Sequence, residues 1–191
     1  MHFDKLFALM SDRVLLTQAD RGLIKSLFQP VSFARHSRLV QPGGIARWLY
    51  FINAGYLRVF AYREGSEVTT HLNCPPGFIT SFHSFNHQVP AADHLECITD
   101  VELLAISRQD LDSLYRQSAH LAEFGRLMLE QSVTYNETRS QDLVTLTAEQ
   151  RYRKLLSQHP DIVQHVPLQY IASFIGIKPE SLSRIRRQII S

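Results

Sequence analysis

The feature that most constrains the fold is a series of short, β-rich stretches between Val31 and Ile106. These stretches are rich in β-branched and aromatic residues, and they include WLYFI, GYLRVFAY, EVTTHL, GFITSF and VELLAI. Turn-forming sequences separate them, namely QPGG, NAG, REGS and CPPG. Because many short strands at regular spacing are typical of antiparallel sandwiches and barrels, we predict an antiparallel β domain here.

Helical patterns flank this region on both sides. The sequence TQAD, at Thr17–Asp20, offers an N-cap with an acid at N3, and apolar residues follow at helical spacing until Pro30. A second capping box, SRQD, begins at Ser107. From there to about Gln158 the chain contains no proline and good helix formers throughout. We therefore predict N-terminal helices before the β domain and a long helix after it.

One stripe of the long helix carries a repeat of seven residues. Such a repeat indicates a coiled-coil seam through which two copies could pair. The alternative is that the stripe packs on the β domain of its own chain. The residues predicted for the dimer helix are Leu114, Leu121, Phe124, Met128 and Tyr135.

The C-terminal segment reads as two short helices joined by a tight turn. Apolar residues repeat at helical spacing from Leu168 to Ile175, and Gly176 is then a natural helix end because glycine accepts the left-handed conformation. Pro179 starts the second helix, whose apolar face repeats from Leu182 to Ile189. This pattern is typical of a helix-turn-helix motif.

The second of these helices has a polar, basic outer face. In a helix-turn-helix, residues near the start of the second helix reach base edges, while basic residues around them neutralise phosphates. We predict base contacts from Glu180, Ser181 and Arg184. Lys178 and Arg187 are the predicted phosphate contacts. A plain amphipathic hairpin that caps the domain is the alternative.

The charge distribution supports the first interpretation. The whole chain has 20 Lys and Arg against 18 Asp and Glu, but residues 151–191 hold seven against two, and residues 1–150 hold 13 against 16. Basic charge is thus concentrated at the C-terminal end, as expected where a small module meets a polyanion.

Several functional classes lack their motifs in this sequence. The two cysteines, Cys74 and Cys97, form no CxxC pair, so we predict no zinc or iron–sulfur site. We find no nucleophile elbow and no phosphate-cradling loop, so we predict that the chain is not an enzyme. No apolar run is long enough to cross a bilayer, and the N-terminus has an acid where a secretion signal would be basic. We expect a cytoplasmic protein.

The order of these elements resembles the Crp/Fnr family of bacterial transcription regulators. The most specific segment is LQYIASFIGIKPESLSRIRRQI, which looks like the recognition motif of the family, with Glu180, Ser181 and Arg184 at the matching positions. The position before the Glu is often Arg in the family, whereas here it is Pro179. One familiar DNA contact is therefore missing.

The resemblance implies an α+β fold with three parts. Residues 1–106 would hold N-terminal helices and an antiparallel jelly roll of the cyclic-nucleotide-binding type, residues 107–140 a dimerisation helix, and residues 141–191 a helix-turn-helix domain. The protein would be a homodimeric regulator that binds double-stranded DNA, with RNA polymerase as a further partner. Its two recognition helices would reach half-sites roughly 34–36 Å apart.

The sequence departs from the family at the positions that bind cyclic AMP. A Gly-Glu pair and an Arg-Ser pair hold the ribose and the phosphate in such members, but the matching residues here are Thr80 with Ser81 and Ala91 with Ala92. Because burying a phosphate without its Arg is costly, we do not expect cyclic AMP as a cofactor. A pocket for another small molecule, or a filled structural region, would be formed by Thr80, Ser81, Phe82, His83, Phe85, His87, Ala91 and Ala92.

A second departure is that no C-terminal wing is evident. Many members follow the recognition helix with a β-hairpin, whereas only QIIS follows Arg187 here. We expect modest, strongly salt-dependent DNA affinity. The alternative function is a small-ligand-binding or protein-interaction module that has lost DNA binding.

Overall fold

The structure is a computed structural model that describes residues 2–190. Two helices precede the strands, at Asp4–Ser11 (α1) and Gln18–Leu27 (α2). The strands are Gln29–Phe33 (β1), Arg38–Val40 (β2), Trp48–Ala54 (β3), Leu57–Arg63 (β4), Ser66–Asn73 (β5), Gly77–Ile79 (β6), His94–Cys97 (β7) and Val101–Ser107 (β8). The other helices are Phe82–His87 (α3), Arg108–Gln117 (α4), Ala119–Thr145 (α5), Ala148–Gln158 (α6), Pro160–His165 (α7), Leu168–Phe174 (α8) and Pro179–Ile190 (α9).

The strands form two antiparallel sheets of four strands each. Sheet A has the order β1-β8-β3-β6 and sheet B the order β2-β7-β4-β5. Alternation along β4 and β7 places Leu57 and Leu95 in the main core and Arg58 and Glu96 on the opposite face of sheet B. The predicted α+β architecture with an antiparallel jelly roll is confirmed.

The N-terminal helices form where the sequence predicts them. The Thr17 hydroxyl accepts a hydrogen bond from the Asp20 amide, and the Asp20 carboxylate accepts one from the Thr17 amide at 2.9 Å, which completes the capping box of α2. Pro30 lies in β1, at the edge of sheet A, where a missing N–H costs little.

The long helix that we predicted over 107–140 is interrupted at Ser118. This residue has extended backbone angles, with φ at −142°, and its hydroxyl caps α5 by accepting from the Leu121 amide at 3.3 Å. The same hydroxyl donates to Asp20 at 2.6 Å. Serine competes with helical backbone bonding in this way, and the chain therefore forms α4 and α5 in place of one helix. The second of these continues to Thr145, beyond the predicted boundary at 140.

The interruption corrects our interpretation of the heptad stripe. Leu114 belongs to α4, whereas Leu121, Phe124, Met128 and Tyr135 belong to α5. The side chains of Leu114, Leu121 and Phe124 are buried in the main core, and Met128 packs against that core. These four residues thus serve their own β domain, as the alternative proposed, and only Tyr135 is exposed.

The C-terminal helices share a second core with sheet B. It contains Tyr152, Ile162, Ile171 and Leu182 from four different helices, together with Leu72 and Ile98 from the β domain. The C-terminal domain is thus packed directly against the sheet.

Asp20 provides a test of the α4–α5 junction. Burial alone would raise the pKa of Asp20, but hydrogen bonds from Ser118, Thr17 and His120 outweigh it and lower the pKa to about 2. Because the folded pKa is below the unfolded one, this contribution is present above about pH 4 and is lost as the pH falls towards 2. We expect Asp20→Asn to reduce the free energy of unfolding at neutral pH by about 2 kcal/mol and to flatten its decrease in acid.

Urea unfolding at several pH values would measure this effect. The control is Asp12→Asn, an exposed aspartate near the end of α1, which should change stability by no more than about 0.5 kcal/mol. An Asp20→Asn protein with the acid dependence of the wild type would contradict the assignment.

Candidate nucleic-acid interface

The turn between α8 and α9 is closed by a Schellman motif. The Ile177 amide donates to the Ala172 carbonyl at 2.9 Å, and the Gly176 amide donates to the Ser173 carbonyl at 3.1 Å. Gly176 has φ at +74°, a conformation that side chains with a Cβ rarely adopt. The prediction that Gly176 ends the first helix of the motif is therefore confirmed.

The second helix of the motif buries the face that the sequence predicts. Pro179 is its first residue, and the Lys178 carbonyl accepts from the Ser181 and Leu182 amides. Leu182 is fully buried, while Ile185 and Ile189 pack against the second core. The apolar stripe thus fixes which side of α9 faces solvent.

The structure brings the five predicted DNA contacts together on the exposed side of the motif. Lys178, Glu180, Ser181, Arg184 and Arg187 are all exposed. Within residues 2–190, no carboxylate lies within ion-pair distance of Lys178 or Arg184. These two cations are therefore available to an external anion.

The first helix of the motif is bonded to the edge of sheet B. The Ser173 hydroxyl accepts a hydrogen bond from the Thr69 amide at 2.8 Å and donates one to the Glu67 carbonyl at 3.1 Å. An edge strand leaves such backbone groups unpaired. One serine thus satisfies both a donor and an acceptor of β5 and fixes α8 on the sheet.

A buried arginine beneath α8 provides the second contact between the domains. The Arg58 guanidinium carbon lies 3.7 Å from the ring centroid of Tyr170 in α8 and 3.9 Å from that of Phe60. Its Nη2 lies 2.6 Å from Glu67 and 3.2 Å from Glu96. Arg58 is only 2% exposed. Its contacts with the two aromatic rings and the two carboxylates therefore act in a medium of low dielectric constant.

Two further contacts hold the C-terminal helices. The Tyr56 hydroxyl lies 3.0 Å from His165 Nδ1 and the two rings stack. Arg139 of α5 donates to the Phe174 carbonyl at 2.9 Å. We did not predict the contacts of Arg58, Tyr56, His165 or Arg139 from the sequence. Only Arg58 left a signal, as a lone charge inside the apolar strand sequence GYLRVFAY.

The predicted effector pocket does not form a single cavity. Ala92 is exposed, as are His83 and His87, whose rings lie against each other on the outside of α3. Phe85 is buried and Phe82 is half exposed, and both line a different cavity outside the jelly roll. The eight residues are therefore divided between surface, core and cavity wall.

The positions that match the cyclic AMP contacts of the family are occupied by internal bonds. The Thr80 hydroxyl donates to the Trp48 carbonyl at 2.8 Å, and the Ser81 hydroxyl donates to the Asp93 carboxylate at 2.5 Å. Ala91 is buried and has no polar side-chain atom. None of the four matching positions, Thr80, Ser81, Ala91 and Ala92, carries a carboxylate or a guanidinium.

Comparisons with known proteins identify the fold. Residues 30–118 match the family model of the cyclic nucleotide-binding domain. FixK2 from Bradyrhizobium japonicum superposes with a TM-score of 0.74 at 15% identity, over 85% of this chain and 84% of that one. The regulator CLP from Xanthomonas campestris gives 0.67 at 18% identity over 91% of both chains. A Crp/Fnr family regulator from Eubacterium rectale gives 0.68 at 16% identity, over 91% and 83%.

The chain therefore contains a domain of the cyclic nucleotide-binding type within the overall fold of the Crp/Fnr regulators, and the resemblance inferred from the sequence is confirmed. The proteins from Xanthomonas campestris and Eubacterium rectale are described as regulators. No curated protein sequence matches the chain. Among the residues that the structure describes, no helix is long and apolar enough to cross a membrane, and no cluster of three or more potential ligands could hold a metal ion.

The Arg58 contact predicts a large loss of stability on substitution. Arg58→Met removes the cation but leaves Glu96, which is 5% exposed, without its buried partner. We expect the free energy of unfolding to fall by about 3 kcal/mol. The double variant Arg58→Met with Glu96→Gln should recover part of that loss, since the buried Glu96 position then carries no charge and the remaining carboxylate, Glu67, is partly exposed.

Denaturant unfolding would measure all three proteins. Arg153→Met serves as the matched control, because Arg153 pairs with Glu149 on the exposed face of α6 and such pairs contribute less than about 1 kcal/mol. A loss for Arg58→Met as small as that of the control would show that the buried contact is not needed for stability.

Proposed function

We propose that the chain is a dimeric DNA-binding transcription regulator of the Crp/Fnr type, active in the cytoplasm, in which the β domain is a sensor. The observation that carries this proposal is the exposed start of α9, where Ser181 lies beside Lys178 and Arg184, two cations that have no carboxylate within ion-pair distance among residues 2–190. RNA polymerase is a further partner of the proposed complex.

The chemistry of this face fits a major groove. Arg184 can donate two parallel hydrogen bonds to a guanine edge, and Glu180 can accept from a cytosine amino group. Lys178 and Arg187 flank them and would contact phosphates, which position the helix without reading sequence. An interaction module without DNA activity has no need for this arrangement.

The second copy would pair through the lower half of α5. Residues 129–138 are exposed all around the helix, which is unusual for an α-helix that has no partner. Leu129, Val133 and Leu143 follow coiled-coil spacing along one side. The polar position between them, Asn136, has its Oδ1 at 3.3 Å from His71 Nε2 of β5 in the same chain. We therefore assign the dimer seam to these exposed residues and not to Leu114, Leu121, Phe124 and Met128, which pack in the main core of their own chain.

Selection of DNA fragments from a random library would test DNA recognition. We expect the wild type to enrich a pseudo-palindrome, and Arg184→Ala to lower the affinity for it by about 1–3 kcal/mol with unchanged folding. Arg153→Ala is the control, since Arg153 is an exposed arginine of the same domain that lies outside α9.

Two outcomes would contradict this assignment. If Arg184→Ala bound the enriched sequence as tightly as the wild type, Arg184 would not contact a base. If no sequence were enriched at low or moderate salt, the alternative of a ligand-binding or protein-interaction module would be favoured.

The seam is tested by charging it. We expect the double variant Leu129→Glu with Val133→Glu to be a folded monomer, because like charges would face each other across the dimer. Light scattering measures the mass and circular dichroism the folding. Leu15→Glu is the matched control, since Leu15 is 71% exposed and lies between α1 and α2. A dimer of unchanged mass in the double variant would refute the seam.

A further inference from the structure

An apolar cavity lies outside the jelly roll, between sheet A and the helices α3, α4 and α5. Its volume is about 230 Å³. Its walls are mainly apolar and contain five phenylalanines, four leucines and two methionines: Phe28, Phe78, Phe82, Phe85, Phe124, Leu49, Leu111, Leu114, Leu129, Met10 and Met128. Walls of this kind bind apolar rings through edge and face contacts and through sulfur–aromatic contacts.

The charged groups of the wall are paired with each other. Arg108 contacts Asp112 through Nε at 3.2 Å and Nη2 at 3.0 Å, and its Nη1 donates to the Asn86 side chain at 3.0 Å. The cavity therefore presents no unpaired charge. A charged ligand would have to lose its hydration without gaining an ion pair.

Two hydroxyl groups of the wall differ from these, that of Ser132, which is exposed, and that of Tyr115. The Tyr115 phenol lies against Gly125, so closely that a Cβ at Gly125 would be 2.5 Å from the hydroxyl oxygen. Within the described part of the chain, this hydroxyl makes no hydrogen bond to another protein group. Burial, the largest influence, raises the pKa of Tyr115, so the hydroxyl keeps its proton and remains a donor at neutral pH.

The size of the cavity limits its occupant. An apolar cavity of roughly 150 Å³ stays dry and holds benzene, so a volume of about 230 Å³ suits a molecule of about nine or ten non-hydrogen atoms. We infer that this cavity binds a small neutral aromatic compound with a single hydrogen-bond acceptor, to which the Tyr115 hydroxyl donates. A nucleotide is too large and too charged for it.

The position of the cavity gives the ligand a route to the rest of the protein. Leu129 lies in the cavity wall and also begins the proposed dimer seam. A ligand that binds better to one arrangement of α5 would shift the dimer equilibrium by the ratio of its affinities for the two arrangements. This consequence rests on the proposed function, whereas the binding itself does not.

A matched pair of probes tests the site. Acetophenone and isopropylbenzene have similar shape, but only acetophenone has an acceptor. We expect saturable binding of both to the purified full chain by calorimetry or ligand-observed NMR. Tyr115→Phe should weaken acetophenone about fivefold, the value of one net hydrogen bond, and leave isopropylbenzene unchanged.

A second variant locates the binding. Leu111→Phe adds bulk to the wall and should weaken both probes, while Leu15→Phe, at an exposed leucine that does not line the cavity, should weaken neither. Circular dichroism confirms folding of each variant. Three results would overturn the inference: no saturable binding of either probe by the wild type, as when a second copy fills the cavity; equal loss for both probes in Tyr115→Phe; or unchanged binding in Leu111→Phe.

The outcome is independent of DNA recognition. Probe binding is measured without DNA, so the cavity assignment stands if the probes bind but fragment selection finds no motif. Conversely, an enriched palindrome without probe binding would support the regulator and reject this effector site.

Discussion

The hydrogen bond from the Ser118 hydroxyl to the Asp20 carboxylate is the contact on which the rest of the arrangement depends. It joins the end of α4 and the start of α5 to the capping box of α2, in which Asp20 is the N3 residue, at a point where the chain changes direction. The direction of α5 then decides which of its residues face the core. Phe124 is buried against sheet A, whereas residues 129–138 are exposed and Asn136 contacts His71 of β5 at 3.3 Å. A helix continuous from Ser107 would place a different side on the sheet.

The contact between Arg58 and α8 has a different role. A buried ion pair contributes little net stability compared with apolar residues, because its Coulomb energy is offset by desolvation, but it is specific about position. The Arg58 guanidinium fits only where an aromatic ring stacks on it and carboxylates lie beside it. Two residues of α8 meet these requirements from one helix, since Tyr170 packs on Arg58 and Ser173 is hydrogen-bonded to β5. Leu72 and Ile98 of the β domain contribute buried apolar area to the second core, and this burial is stabilising. The polar contacts fix the orientation of α9 relative to the sheet.

Local signals predicted the parts of the fold that local chemistry determines. The capping box at Thr17, the helix stop at Gly176 and the start at Pro179 depend on a few neighbouring residues, and all three are found. The long helix is present, but it starts at Ala119 and not at Ser107. The prediction placed its start too early because the seven-residue spacing from Leu114 to Leu121 continues by coincidence across the break at Ser118. Its cause, Asp20, is remote in sequence. The Arg58 cluster and the cavity also depend on residues from distant segments, so no single stretch of sequence could indicate them.

The helix α5 connects every candidate site of the protein. Its first half forms a wall of the cavity, its exposed middle carries the proposed seam, and near its end the Leu143 side chain lies 3.4 Å from where a Cβ on Gly176 would stand. Arg139 reaches the last turn of α8 from the same helix. A ligand in the cavity can influence α9 only if its affinity differs between two positions of α5. Because α5 also contacts the helix-turn-helix directly, a small rotation of this one helix would change both the seam and the spacing of the two recognition helices.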